Sequence, residues 1–202
     1  LAKEIRTEPF RGKIKYVAGA DMAFSKDGRY CLAGVVVWDV DQQEVVEESL
    51  AWRAVRFPYV PGLLSFRETP AVLAAIRKLR CTPDVFMFDA HGFAHPRRFG
   101  LASHAGLLMD YPSVGCAKSR LCGQHREPSR ERGRSAPLKD GTETIGAVVR
   151  TRQGVKPVYV SIGHRMTLKD AKRIVLKCTG RYRLPEPTRQ AHILVSRQTR
   201  DV

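Results

Sequence analysis

One stretch limits what this chain can fold into. Val85-Phe86-Met87-Phe88 is an unbroken apolar run, closed in front by Pro83 and behind by Asp89 and Gly92. Such a run reads as a strand buried on both faces of a sheet, which needs helices on each side to cover it. Asp89 then sits where a central strand ends, at the mouth of the sheet, where open α/β folds bind ligands. His91, His95, Arg97, Arg98 and Gly100 follow closely. An acid followed by bases suits a metal ion and a polyanion held side by side. The plainer alternative is that Asp89 only caps the next turn, a common duty of Asp.

The rest of the chain supplies the other elements of such a sheet. Ile14 to Phe24, Cys31 to Trp38 and Glu44 to Trp52 read as strands. The short links Lys26-Asp27-Gly28 and Val40-Asp41-Gln42 make them two successive hairpins. Arg56 to Gly62 is a loop stiffened by Pro58 and Pro61. A helix follows with Leu73, Ile76 and Leu79 on one stripe, Pro70 in its first turn and Thr69 as its cap. Glu68 falls at or just before that start. The fourth strand, Val85 to Asp89, precedes a helix over Phe99 to Met109 and a strand over Pro112 to Ala117 that leads to Lys118. Gln124 to Gly141, polar and basic with two prolines, reads as an exposed excursion. Strands resume at Ile145 to Arg150 and Pro157 to Ile162. Thr167 with Asp170 resembles a capping box ahead of a helix face of Leu168, Ala171, Ile174, Val175 and Cys178. Arg183 to Arg189 is a turn before a last helix holding His192. Three antiparallel strands followed by helix-linked strands predict an α/β domain over residues 1–202. Its architecture is a mixed sheet of five or more strands flanked by helices, in the element order of a ribonuclease-H-like fold.

Charge narrows the partner. Lys and Arg number 35 against 20 Asp and Glu, a formal +15, in a chain that is 43% hydrophobic and so globular rather than disordered. That excess favours a polyanion, nucleic acid first. No amphipathic basic helix or lipidation signal points to a membrane, and no apolar run reaches spanning length. No secretory signal is visible. The chain opens on Leu1, which leaves a trimmed start open. Five scattered cysteines suggest reduced thiols and a cytoplasmic protein. Cys116, Cys122 and His125 match no common zinc spacing.

Three acids stand at element ends: Asp21 after the apolar part of the first strand, Glu68 before the first long helix, and Asp89. If the first and fourth strands are neighbours, both aspartates reach one end of the sheet. Magnesium takes oxygen ligands and keeps several waters, so such a set leaves room for a phosphate oxygen and an attacking water. Chance placement of three acids is the alternative. Lys118, leaving a strand end, is a point charge suited to a phosphate or a developing alkoxide, or is an ordinary solvated lysine. His95, His104, His164 and His192 carry little weight singly.

At this point the residues resemble a known family. Tyr16 to Asp21, Pro58 to Glu68 and His95 to His104 are similar to endonuclease V, the deoxyinosine 3′ endonuclease. Gly115 to Leu121, Ser161 to His164 and Pro185 to Arg189 extend the likeness over nearly the whole chain from Tyr16 onward. The resemblance implies a magnesium-dependent nuclease, with manganese as a substitute. It would recognise hypoxanthine and cut the second phosphodiester on the 3′ side, leaving a 3′-hydroxyl and a 5′-phosphate. Asp21, Glu68 and Asp89 would hold the metal, Lys118 would contact the scissile region, and His192 would assist at the metal. Pro58, Tyr59, Val60 and Pro61 match the loop that wedges into the duplex. Backbone groups of Gly62, Leu64 and Ala90 would build the base pocket, and Arg97, Arg98 and Arg120 are candidate phosphate contacts. Two departures stand out: Ala90 and His91 replace the family's usual Gly then Gln or Asn, and little chain precedes Ile14 where the family has a helix.

The expected protein is therefore a cytoplasmic, monomeric DNA-repair endonuclease acting on deoxyinosine in DNA. One rival is a nuclease of the same fold that acts on inosine-containing RNA or on branched or mismatched DNA. Another is a non-catalytic nucleic-acid-binding module, which would need no clustered acids.

Overall fold

The computed structural model describes residues 1–199. Its element order, after a short turn of 3-10 helix at Ala2–Glu4, is β1 (Tyr16–Phe24), β2 (Tyr30–Asp39), β3 (Glu44–Ala54), α1 (Ser65–Ile76), β4 (Val85–Phe88), α2 (Leu101–Met109), β5 (Ser113–Ala117), β6 (Ser135–Asp140), β7 (Glu143–Val149), β8 (Val158–His164), α3 (Leu168–Lys177) and α4 (Glu186–Gln198). All eight strands form one sheet in the order β3-β2-β1-β4-β5-β8-β7-β6. The two hairpins predicted at the start are β1-β2-β3. β4 and β5 then join β1 in parallel, and β8, β7 and β6 continue antiparallel. This is the mixed, helix-flanked, ribonuclease-H-like sheet expected. No described helix is long and apolar enough to cross a membrane.

The apolar run that constrained the fold is buried throughout, and its residues alternate between two cores. Phe86 and Phe88 join Ala18, Ala20, Val35 and Val37 beneath α1 and α2. Val85 and Met87 join Val17, Val114 and Cys116 beneath α3, where Ala171, Ile174 and Val175 pack. α4 lies on that second face too, its Ala191 and Leu194 against Val36 of β2. Since side chains alternate along a strand, Val17, Gly19 and Asp21 share the α3–α4 face, and so do Val85, Met87 and Asp89.

Three expectations are corrected. α1 begins at Ser65, a full turn before Thr69, so Thr69 is no cap: its hydroxyl donates to the Ser65 carbonyl at 2.6 Å, and Pro70 lies inside the helix. Pro70 lacks an N–H for the Phe66 carbonyl, a local loss the helix absorbs against the sheet. The residues α1 buries are the small ones, Ala71, Val72, Ala74 and Ala75, while Leu73, Ile76 and Leu79 stay half-buried and line a shallow apolar recess with Phe86, Leu108 and Tyr111. Gln124 to Gly141 is not only an excursion, because it contains β6, the outer strand of the sheet, and Gln124 bridges to Lys139. An edge strand tolerates Pro137 and exposed polar residues, which gives it the composition of a loop.

The basic excess is partly internal. Arg132 donates to the carbonyls of Thr151, Leu176 and Thr179. Arg150, buried, donates to Ser129, Val155 and Pro128 carbonyls and to the Glu127 carboxylate. These guanidiniums act as staples for irregular chain, satisfying carbonyls that no ladder reaches.

Candidate active site

The parallel pairing of β1 with β4 runs in register from Val17 with Val85 to Ala20 with Phe88, and the Asp89 amide continues it by donating to the Ala20 carbonyl at 3.2 Å. The next pair is Asp21 and Asp89, on adjacent strands and on one face. The sequence condition for a shared site, that the first and fourth strands be neighbours, is met. β5 lies beside β4, and Lys118, one residue past its end, forms an ion pair with Asp89 through Nζ. α4 crosses the same face and brings His192, distant by 171 residues in sequence, to 2.7 Å from Asp21 Oδ2 through Nδ1. That approach depends on Gly19. A Cβ there would collide with the backbone of Pro187 and Thr188 in the first turn of α4.

Glu68 arrives from the other face, in the first turn of α1 rather than at or before its start. Burial and the charge of Asp21 push its carboxyl up to about 7. Burial likewise raises Asp89 above the usual carboxylate range, while the ion pair with Lys118 pulls it back. Three carboxylates thus crowd the end of β1 and β4, and Lys118 and His192 each meet one of them. Among the described residues, no three His, Cys, Asp or Glu side chains converge into a ready-made cation cage. The donor set still suits a hard cation. It is all carboxylate oxygen, Asp21 and Asp89 each engage a neighbour through Oδ2 and keep Oδ1, and no hydrogen bond among the described residues holds the Glu68 carboxylate.

The loop before α1 leaves the same end of the sheet. Pro58 and Pro61 are exposed, Tyr59 is 66% exposed, and Val60 is half-buried, so Tyr59 belongs to no core. Its ring lies under the Arg67 guanidinium, 5.8 Å away, and the same guanidinium covers Phe24 at 4.9 Å. Arg67 was not singled out in the sequence. Only its place one residue before Glu68 signalled it, and its Nε is buried without a partner. Gly62 takes the left-handed conformation with φ +78° in the turn that leads to Leu64, which is exposed. Ala90 sits half-buried in the loop after β4. Its loop lies flat on β5, where a Cβ on Gly115 would come within 2.6 Å of the Ala90 carbonyl and the Gly92 amide.

Arg97 and Arg120 are exposed, and Arg97 reaches the Gly62 turn. Arg98 is different. Its guanidinium donates to Glu143 at 2.7 Å, to Asp140 at 2.8 Å and to the His95 carbonyl at 3.0 Å. With two carboxylates on it, Arg98 fastens the β6–β7 hairpin, a structural tie that occupies the charge expected to meet a phosphate. His95 and His104 are buried neutral bases: burial lowers both, His104 to about 4, where Phe66 and Phe99 rings flank it.

Comparison with known proteins identifies relatives of the whole chain. The family model described as Endonuclease V matches residues 1–193. An endonuclease V of Roseiflexus sp. is 54% identical over 196 residues, covering 97% of this chain and 87% of its own. The crystal structure of endonuclease V from Streptomyces avermitilis superposes with a TM-score of 0.94 at 42% identity, covering 99% of this chain and 89% of the other. Endonuclease V of Ciona intestinalis, solved in complex with a 24mer DNA containing an inosine followed by a ribo-adenosine, matches with a TM-score of 0.85 at 26% identity over 99% of this chain and 93% of its own. A model matched over almost the full length, and a relative identical at more than half its aligned positions, leave one conclusion: this chain belongs to the endonuclease V family.

Proposed function

We propose that the chain is a magnesium-dependent DNA-repair endonuclease that finds deoxyinosine and hydrolyses the second phosphodiester bond on its 3′ side, leaving a 3′-hydroxyl and a 5′-phosphate. The observation that carries this reading is the parallel register of β1 and β4, which runs up to Ala20 with Phe88 and so brings Asp21 and Asp89 to one end of that pair, with Glu68, Lys118 and His192 gathered on them. Asp21, Asp89 and Glu68 would hold magnesium, or manganese in its place. Bound there, the ion supplies charge that lowers the pKa of a coordinated water and offsets the phosphate.

The chain's own groups do the rest. Glu68 exchanges its proton near neutral pH, as suits a base that orients an attacking water. Lys118 stands where its ammonium can neutralise charge on the departing oxygen. His192 steadies Asp21. Tyr59, carried on a loop that two prolines stiffen, is exposed and free to stack where the lesion leaves the helix. Backbone groups at Gly62, Leu64 and Ala90 would read the extruded base, which presents an N1 donor and an O6 acceptor. Arg97 and Arg120, whose guanidiniums point to solvent, would take phosphates.

A second reading, action on inosine in RNA, is favoured by the ribo-adenosine that follows inosine in the DNA bound to the Ciona relative. One assay tests both. DNA and RNA oligonucleotides, each with and without inosine, are incubated with magnesium or with chelator. Magnesium-dependent cutting of inosine DNA alone is expected. Cutting of inosine RNA alone would replace the substrate, and cutting without metal would replace the mechanism.

A further inference from the structure

Lys118 follows the last residue of β5, on exposed chain, and a lysine stem is long and flexible. Its ammonium can meet Asp89 reproducibly only if the main chain beneath it is fixed. Two side chains fix it. Arg183 donates to the Lys118 carbonyl at 2.6 Å, and the same guanidinium donates to the carbonyls of Pro157 at 2.8 Å and Lys156 at 2.9 Å. Arg183 is itself anchored: its carbonyl accepts from the hydroxyl of Thr151, a fully buried residue, at 2.6 Å. From the opposite side His91 Nε2 lies 3.0 Å from the Ser119 carbonyl, to which it must donate because a carbonyl only accepts.

We propose that Arg183 is a positioning residue for Lys118: it holds the Lys118 peptide from one side while His91, two residues after Asp89, holds Ser119 from the other, and together they aim the ammonium at Asp89. The inference rests on the reading of Lys118 given above. The residue type matters. A planar guanidinium with several donors spans three carbonyls, and a lysine at the same place would reach one or two. The fold draws donor and acceptors from three segments: the guanidinium from the turn before α4, one carbonyl from just past β5 and two from the chain that enters β8. His91 adds a second function for the loop after β4. The same short segment that presents the Asp89 carboxylate also ties down the chain that carries its partner.

The test is a double-mutant cycle with Arg183→Met, Lys118→Ala and both together, read by single-turnover cleavage and by Kd for an inosine-containing duplex. Arg183→Met is expected to slow cleavage about tenfold with Kd within about twofold. In the double variant it should add less than about twofold to the loss from Lys118→Ala, because its effect passes through that residue. Arg183→Lys should recover part of the rate. An independent measurement needs neither DNA nor metal: acetylation of Lys118, followed by mass spectrometry, should run several-fold faster in Arg183→Met, with Lys172 as an unaffected reference. Multiplicative losses in the cycle, or an unchanged labelling rate at Lys118, would overturn the proposal. If Arg183→Met does not fold, His91→Ala replaces it in the same cycle and labelling, with the same two outcomes decisive. Should the wild type fail to cut inosine substrates, the functional reading falls while the labelling still decides whether Arg183 holds Lys118.

Discussion

At one end of the sheet His192 Nδ1 lies 2.7 Å from Asp21, and at the other His164 Nε2 lies 3.0 Å from Asp110. The residue types and spacing are nearly the same, but the surroundings are opposite. His164 is 1% exposed, its Nδ1 accepts the Arg6 amide, and Asp110 also pairs with Arg6 and Arg165. Those arginines hold the Asp110 carboxyl below its usual range. Every charge there has a partner, and the assembly clasps the first residues of the chain to α2 and β8. His192, by contrast, is 52% exposed, and Asp21 faces two further carboxylates, one of them raised to about 7. A His–Asp pair is therefore uninformative by itself. What separates a clasp from a reactive site is whether the neighbouring charges cancel or accumulate.

The sharpest way to break that comparison is to neutralise one carboxylate at each end. Asp89→Asn should reduce cleavage by about 10³-fold or more, as loss of a group acting only in the transition state does, with binding of inosine DNA retained. Asp21→Asn should behave alike. Asp110→Asn should leave cleavage at the wild-type rate and lower the melting temperature. Cleavage assays beside melting curves check the pair, and a slow Asp110→Asn enzyme would erase the distinction.

Acid and base should also unfold the two ends separately. Glu68 holds its proton up to about 7 in the folded chain against 4.5 ordinarily, so between those values the native state binds more protons and metal-free stability falls as pH rises, by up to about 3 kcal/mol. Glu68→Gln should remove that decline. Asp110, lowered by its arginines, contributes stability above its ordinary value that is lost as pH falls through the folded value, and Asp110→Asn should flatten the acid limb instead. Chemical denaturation from pH 4 to pH 8 with chelator present measures both. A Glu68→Gln protein with the wild-type slope would remove the carboxylate crowding.

Smaller effects sharpen the boundary of the reactive end. Tyr59→Ala should weaken action on duplex inosine by about tenfold, since base–aromatic stacking is worth roughly 1–3 kcal/mol, with less harm to single strands and no change in melting. The duplex-to-single-strand rate ratio reads this, and an unchanged ratio would remove Tyr59 from the wedge. Last come the arginines. Each phosphate contact contributes about −0.9 to the slope of log K against log salt, so Arg97→Ala or Arg120→Ala should each flatten it by about that much. Arg98→Ala should leave the slope alone and lower the melting temperature, because its partners are Asp140 and Glu143.

Much of this was legible before any coordinates. An apolar run bounded by turns has one comfortable place, a central strand, and Asp21 and Asp89 were due at one end of the sheet once β1 and β4 were neighbours, whereas the face they share follows from the register of the two strands. Other features were not legible for definite reasons. β6 has the composition of a loop because an edge strand meets water, and α1 begins early because its packing on the sheet outweighs the local signals of Thr69 and Pro70. The roles of Arg98 and Arg183 depend on groups that tertiary folding brings from 26 to 65 residues away. A charge count cannot tell a guanidinium that faces solvent from one that staples carbonyls.

Gly19 carries a lesson for anyone judging variants of this chain by inspection. It contributes no functional group, and a screen that asks only whether Asp21, Glu68, Asp89, Lys118 and His192 are intact would pass Gly19→Ala as active. Yet the smallest possible side chain there would enter the backbone of Pro187 and lift α4 from β1. His192 would retreat with the helix while every residue of the candidate site remained in the sequence. The position sets a length, the gap between one strand and one helix, and a protein that lost that length would be a nuclease in its alphabet and inert in its dimensions.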